Sequence, residues 1–201
     1  MILGFLFLFL CLSVLAPVFM KLGWILPARI IYWLYSFFCH QLPFRSWFLF
    51  GFQPFYPLTE AGLTKTVAFE AFFHPVSMDF EILNRLIGNP TAGYKIALCQ
   101  RDFAMYFTLL AFGIFFGIKK RKIAKIPLWI WLVFGVIPIG IDGFSQYFGE
   151  INLSLINGFT RESTPFLRTV TGFLFGTFTG WYIFPALEAM INGNMKEKTK
   201  V

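Results

Sequence analysis

The sequence predicts an all-α integral membrane protein, a bundle of about five transmembrane helices with an extracytoplasmic insert containing a short amphipathic helix. Three observations support this prediction: an apolar composition, long apolar runs, and basic residues gathered in a few short stretches. Of the 201 residues, 57% are hydrophobic, 21% are aromatic and only 13% are charged. Soluble domains carry about 25% charged residues, so this composition is typical of a lipid-facing protein.

The apolar runs match the thickness of a bilayer, whose core of about 30 Å requires about 20 residues of helix. We interpret residues 1–201 as one membrane domain. Pro27 and Arg29 interrupt the second run, so we expect that helix to be short or tilted. The predicted spans cover about 2–20, 22–40, 95–118, 126–148 and 165–191, and the outer insert covers about 41–94.

Basic residues set the predicted orientation. Much of the net charge of +7 lies in the loop 119–125 and the tail 196–200, and such clusters are retained on the cytoplasmic side. Counting back through five spans puts the N-terminus outside and the C-terminus in the cytoplasm, in a multi-pass protein of the cell membrane. The expected partner is the lipid bilayer, and the charge distribution argues against nucleic acid.

A short helix is expected within the insert. Residues 77–87 carry apolar side chains at helical spacing, Ser77 stands at their start, and Gly88-Asn89-Pro90 ends the pattern. We expect this amphipathic helix to lie on the membrane or to cap the bundle.

Glycines recur every four residues in two of the predicted spans. This spacing lets helix backbones approach closely, either inside one bundle or between two copies of the chain. Packing inside the bundle is the favoured interpretation, and a homo-oligomer remains an alternative. The glycines are Gly113 and Gly117, and Gly172, Gly176 and Gly180.

Four polar stretches lie at outer helix ends in this topology. Burying an ionisable group near the membrane costs free energy, so each such group is expected to have a role. The first contains Cys39, His40, Gln41 and Arg45. Neighbouring Cys and His offer a soft and a borderline metal ligand. The alternative is that His40 is an interfacial residue held by hydrogen bonds.

The second stretch places three reactive side chains on one helix face. Cys99 and Asp102 are three residues apart, and Asp102 and Tyr106 are four apart. Such a face can hold half of a metal site. The alternative is a structural ion pair between Asp102 and Arg101.

The third stretch carries Asp142 and Gln146, which share a helix face four residues apart. Gly140 and Gly143 leave room beside the carboxylate. A carboxylate that follows a long apolar run is expected to have a function.

The fourth stretch begins the last span. Thr164 is a good N-cap, and Glu162 faces the positive end of the helix dipole. Arg168 in the first turn is opposed by that dipole unless an anion compensates it.

Together these stretches predict one pocket for a metal and an anionic substrate. The predicted metal ligands are Cys39, His40, Cys99 and Asp102. The predicted general base is Asp142 or Glu162. The predicted substrate-binding residues are Gln41, Arg45, Arg101, Tyr106, Gln146 and Arg168. Zinc is the expected metal, and the arginines suit phosphate. The hypothesis is a metal-dependent membrane enzyme acting at the outer membrane–water interface on an anionic lipid or a phosphate-bearing substrate.

Four ordered motifs carry a resemblance: Cys39-His40-Gln41-x-Pro43-x-Arg45-Ser46, Cys99-x-Arg101-Asp102-x-x-x-Tyr106, Gly140-x-Asp142-Gly143-x-x-Gln146 and Glu162-Ser163-Thr164-x-x-x-Arg168. Over roughly residues 30–180, they resemble an uncharacterised prokaryotic membrane family known as domain of unknown function 2085. The resemblance implies an integral membrane protein and assigns no reaction. Relatives with Cys in place of Asp102 favour metal ligation there over a disulfide. The insert over about 53–94 departs from the family pattern.

Two other functional classes stay open. In a transporter or binding protein, Asp102, Asp142 and Glu162 would line a path, but these acids lie at one end and no internal repeat is visible. In a redox or structural protein, Cys39 and Cys99 would form a disulfide outside the cell, or the polar cluster would only hold helix ends together.

Overall fold

A computed structural model describes residues 1–75, 78–150 and 162–198. The helices are α1 (Ile2–Lys21), α2 (Ile25–Ser36), α3 (Phe69–Phe72), α4 (Phe80–Arg85), α5 (Gln100–Ile118), α6 (Leu128–Ile130), α7 (Ile137–Glu150) and α8 (Pro165–Lys198). The strands are β1 (Ser46–Leu49), β2 (Gly88–Asn89) and β3 (Gly93–Cys99). A π-helical stretch, Trp131–Val136, joins α6 to α7.

Among the described residues, four helical segments are long and apolar enough to cross a membrane. They are Ile2–Lys21, Gln100–Ile118, Leu128–Gln146 and Pro165–Ile191. The sequence prediction of a helical membrane protein with several spans is therefore confirmed.

The second predicted span, over 22–40, is not confirmed. α2 has 12 residues, so it measures about 18 Å at 1.5 Å per residue, which is well short of the bilayer core. Gly23, at a φ of +81°, separates α2 from α1. α2 then folds back along α1, with Trp24 5.5 Å from Phe19 and Tyr35 4.7 Å from Phe9 between ring centroids.

A small antiparallel sheet corrects the all-α prediction. The strand order is β1-β3-β2, and Ser46 pairs with Cys99 while Leu49 pairs with Tyr94. The helix predicted from residue 95 begins at Gln100 because Gly93–Cys99 is the central strand. The apolar run before the helix is therefore extended backbone.

The insert has a largely aromatic core of its own. α4 supplies one buried residue to it, Leu83, while Phe80 and Ile82 are exposed. Asp79 caps α4 by accepting a hydrogen bond of 3.0 Å from the amide of Glu81. α4 is shorter than the helix predicted over 77–87, whose first residue, Ser77, lies outside the described residues. The buried core residues are Leu42, Phe44, Phe48, Tyr56, Phe69, Phe73, Leu83 and Ala92.

α1 and α8 both pack against α5, and they run in opposite directions. Leu3 lies beside Gly113, and the ring of Phe9 lies 5.1 Å from that of Tyr106, so α1 runs antiparallel to α5. α8 runs parallel to α5, with Gly172 against Arg101 and Gly180 against Phe112.

The glycine repeat of α8 serves packing within one chain. A Cβ at Gly176 would lie 2.1 Å from Thr108 Oγ1 and 2.2 Å from the carbonyl oxygen of Met105. A Cβ at Gly172 would lie 2.3 Å from the carbonyl oxygen of Arg101, and one at Gly180 would lie 3.0 Å from Cβ of Phe112. These close approaches account for the four-residue spacing without a second copy of the chain.

We predict that Gly176→Ala destabilises the protein, because the added methyl group meets the backbone of α5 and forces the two helices apart. Overpacking of this kind costs about 1–3 kcal/mol. Thermal unfolding in detergent would measure the loss. Gly117→Ala is the matched control, because a Cβ there has nothing within 4 Å. An unchanged melting temperature for Gly176→Ala would contradict this account of the packing.

Candidate metal and anion site

A cavity of about 280 Å³ lies where the four polar stretches meet. Most of the predicted site residues contribute to its wall. The lining residues are Phe38, Cys39, His40, Gln41, Leu42, Arg45, Cys99, Arg101, Asp102, Gln146 and Arg168. Stretches separated by more than a hundred residues along the chain therefore share one small space.

One wall of the cavity carries a group of metal-ligand atoms. The sulfurs of Cys39 and Cys99 and a carboxylate oxygen of Asp102 lie within 4.8 Å of one another. The amide of Cys99 donates to Cys39 Sγ at 3.4 Å, and the amide of Asp102 donates to Cys99 Sγ at the same distance. The second of these bonds is the N-cap of α5. Helix capping therefore fixes the position of the Cys99 thiol.

The thiol of Cys39 is held in its protonated form. A side-chain hydrogen bond with Cys99, and then burial, raise the pKa of Cys39 above its usual range. Both cysteines are free thiols in this structure. A metal that bound here would have to displace the thiol proton.

A ring of three buried residues holds the Cys39–Gln41 segment, which leaves the helix after α2. The hydroxyl of Tyr32 donates to the carbonyl of Lys95, and Lys95 Nζ donates to the carbonyl of Gln41. Gln41 Nε2 closes the ring by donating to the carbonyl of Tyr32 at 2.7 Å. The ring keeps the backbone of Gln41 in the left-handed region, at a φ of +52°. Residues that carry a side chain rarely adopt this conformation.

Lys95 was not among the predicted site residues. Its ammonium group is fully buried and also donates to the carbonyl of Asn84 at 2.9 Å. Burial lowers the pKa of Lys95 to about 7. The signal in the sequence is a single lysine in the apolar run Gly93–Cys99, where the sequence predicts the start of a helix.

Glu162 joins two arginines at the edge of the cavity. Arg45 binds both carboxylate oxygens, with Nε 3.0 Å from Oε1 and Nη2 2.9 Å from Oε2. Arg168 forms a second ion pair with Oε1. The side chains of Glu162 and Arg168 are 5% and 2% exposed, so this is a buried charge cluster. Glu162 is therefore the anion that compensates Arg168 for its unfavourable position in the first turn of α8.

Gln146 extends this cluster to a second ion pair. Its Oε1 accepts from Arg168 Nη2 at 3.2 Å, and its Nε2 donates to the carbonyl of Asp142 at 2.8 Å. Asp142 in turn pairs with Arg101. Arg45, Glu162, Arg168, Gln146, Asp142 and Arg101 thus form one chain of contacts, which we call the arginine network.

The arginine network leaves polar atoms without a protein partner in the part of the chain that the structure describes. They are Asp142 Oδ1, Arg101 Nε and Arg168 Nε. An unsatisfied buried polar atom costs about 1–3 kcal/mol, so such atoms usually bind water or a ligand. The network therefore suits a cavity that holds a polar group.

Comparisons with known proteins identify a family of membrane proteins. Residues 90–182 match the family described as "Predicted membrane protein (DUF2085)". The uncharacterized protein MJ1492 of Methanocaldococcus jannaschii is 30% identical to this chain over 197 residues, which cover 94% of this chain and 93% of the relative. This chain belongs to that family. No solved structure matches this chain.

In this DUF2085 protein, Asp142 and Glu162 lie behind the cavity wall. Neither contributes to the lining, and each carboxylate contacts arginine side chains that do. Their contacts with arginines suit a positioning role, and the general-base role stays a prediction from the sequence.

Two further predicted residues lie apart from the ligand group. The imidazole of His40 is exposed, lines the cavity and packs edge-on against Phe80, with ring centroids 5.4 Å apart. It is not among the ligand atoms that Cys39, Cys99 and Asp102 bring together. Tyr106 packs on Phe9 and does not line the cavity.

We predict that Glu162→Gln strongly destabilises this DUF2085 protein, because two guanidinium groups lose their shared charge. Breaking a buried ion pair costs on the order of 3 kcal/mol. Thermal unfolding in detergent would measure the change. Glu81→Gln is the control: its pair with Arg85 spans 4.0 Å between side chains that are 82% and 84% exposed, so it should have little effect. Equal effects of the two substitutions would argue against the arginine network as a stabilising element.

Proposed function

We propose that this protein is a metal-dependent membrane enzyme acting at the outer membrane–water boundary on an anionic, lipid-like substrate that carries a phosphate. The observation that supports the proposal is the shared cavity. Its wall joins the ligand atoms of Cys39, Cys99 and Asp102 to the arginines Arg45, Arg101 and Arg168.

Cys39, Cys99 and Asp102 would hold the metal. Two sulfurs and one carboxylate oxygen suit zinc, and three protein ligands leave the open position typical of catalytic zinc sites. A zinc ion supplies a Lewis acid and an acidified water when bound. His40 lines the same cavity outside the ligand group, so we assign its imidazole to proton transfer in place of the ligand role expected from the sequence.

The arginines would bind the phosphate of the substrate. Guanidinium groups form paired, charge-assisted hydrogen bonds with phosphate oxygens. Three guanidinium groups face two carboxylates in the arginine network, so the network itself favours a further anion. Asp142 and Glu162 would hold Arg101, Arg45 and Arg168 in position.

The helix directions support a revised topology. Leu3 lies beside Gly113, near the end of α5, so the N-terminus shares a side with the basic loop 119–125. Basic loops face the cytoplasm. We therefore propose four spans with both ends of the chain in the cytoplasm, in place of the outer N-terminus expected from five spans. The cavity then opens toward the outer boundary.

Cysteine labelling in intact cells would test this topology. A membrane-impermeant maleimide should label Lys65→Cys in the insert. With the three native cysteines replaced by serine, it should not label Lys120→Cys in the basic loop or Ile2→Cys at the start of α1 until the membrane is opened. Labelling of Ile2→Cys from outside would restore the five-span topology.

We predict about one zinc per chain in the purified protein and hydrolysis of anionic phospholipid in vesicles. Cys99→Ser and Asp102→Asn should remove the metal and lower turnover at least about a hundredfold, because each deletes a ligand. Metal analysis and headgroup release from phosphatidylglycerol vesicles would measure the two effects.

Cys11→Ser is the matched control, because Cys11 lies in α1 outside the ligand group. It should leave metal content and turnover unchanged. Metal-free protein at neutral pH, with the same thermal stability in chelator, would exclude the metal site. Bound metal without turnover would support the metal site and exclude phosphatidylglycerol as the substrate.

The closeness of Cys39 and Cys99 also supports a redox function as a second candidate. Alkylation of denatured protein in chelator and without reductant, followed by mass spectrometry, distinguishes the metal site from the redox function. Three labelled cysteines fit the metal site, whereas labelling of Cys11 alone indicates a disulfide between the other two.

A further inference from the structure

A second cavity, of about 520 Å³, lies between α2 and α4. It is larger than the first cavity and shares only Gln41 with it. Polar and aromatic side chains dominate its lining. The lining residues are Arg29, Tyr32, Trp33, Ser36, Gln41, Asn84, Arg85 and Ile87.

Two arginines in this second cavity lack a strong protein anion. Arg85 pairs only weakly with Glu81, at 4.0 Å between side chains that are 84% and 82% exposed, and such pairs contribute little. Arg29 has no hydrogen bond or ion pair with any residue that the structure describes. Two guanidinium groups at one cavity therefore remain available to an external anion.

The surroundings of Arg29 indicate where that anion comes from. The outward face of α2 carries a stripe of exposed apolar side chains, Leu26, Ile30, Trp33 and Phe37, which are 72%, 48%, 61% and 70% exposed. In a chain with several membrane spans, a stripe of this kind faces lipid. Trp is typical of the headgroup region, where its ring sits at the boundary with water.

An arginine beside a lipid-facing apolar stripe extends its guanidinium toward the headgroups. Anionic headgroups attract basic side chains at the membrane surface, and guanidinium groups bind phosphate oxygens in pairs. The geometry points to the second cavity as a binding site for the phosphate of an anionic phospholipid from the surrounding bilayer. Arg29 and Arg85 hold the phosphate, and Trp33 packs beside the lipid.

The second site contacts the ring that supports the first cavity. Tyr32 and Gln41 line the second cavity and belong, with Lys95, to the hydrogen-bonded ring around the Cys39–Gln41 segment. A bound lipid therefore stabilises α2 and that segment. This lipid is distinct from any substrate in the first cavity, and its binding does not depend on the proposed enzyme function.

The test is lipid binding to delipidated, full-length protein in detergent. Added phosphatidylglycerol should bind, as counted by native mass spectrometry, and raise the melting temperature. Phosphatidylcholine and inorganic phosphate should have little effect. The double variant Arg29→Gln/Arg85→Gln should weaken phosphatidylglycerol binding about tenfold or more, because each lost charge-assisted contact is worth about one factor of ten.

Two controls keep the outcome specific. Lys65→Gln removes an exposed charge of the same sign elsewhere in the insert and should keep the wild-type response. The double variant should keep the metal content of the wild type, because it leaves the ligand group of the first cavity unchanged. Wild-type phosphatidylglycerol binding in the double variant would overturn the second site. An equal response to inorganic phosphate would overturn the assignment to lipid.

Discussion

A buried carboxylate between two guanidinium groups organises the end of this protein at which α5 and α8 begin. Glu162 pairs with Arg45 at the start of the insert and with Arg168 in the first turn of α8. A charge buried without a partner is costly, so each of these groups requires the others in place. Through Gln146 the contacts continue to Asp142 and so reach Arg101 on α5. Segments far apart in the chain are therefore held at one position.

The same network shapes the space beside it. Its carboxylates lie behind the wall, whereas its arginines and Gln146 line the cavity. Helix capping places Cys99 and Asp102 at the start of α5 next to Cys39, and these residues line the same cavity. Positive charge and metal-ligand atoms thus share a small volume. This division between supporting and lining groups is the basis of the proposed enzyme function.

The segment after α2 adds irregular backbone to the site. Cys39 and Gln41 are buried, whereas His40 is exposed and lines the first cavity. Tyr32 and Lys95 satisfy the polar groups of Gln41 through the buried ring. A helix of 12 residues is therefore followed by one metal-ligand candidate and leaves an apolar face exposed. Gln41 lines both cavities.

The sequence alone determined the membrane class, four of the spans and most of the residues that line the first cavity. These follow from local properties: apolar length, basic flanks, and polar side chains that an apolar run does not otherwise carry. Only the tertiary structure decided that Gly93–Cys99 is a strand, since its partner Ser46 lies far away in the chain. It likewise revealed Lys95 as a buried support and paired Asp142 and Glu162 with arginines. Strand register and ion pairing depend on distances between remote residues, which no local pattern records.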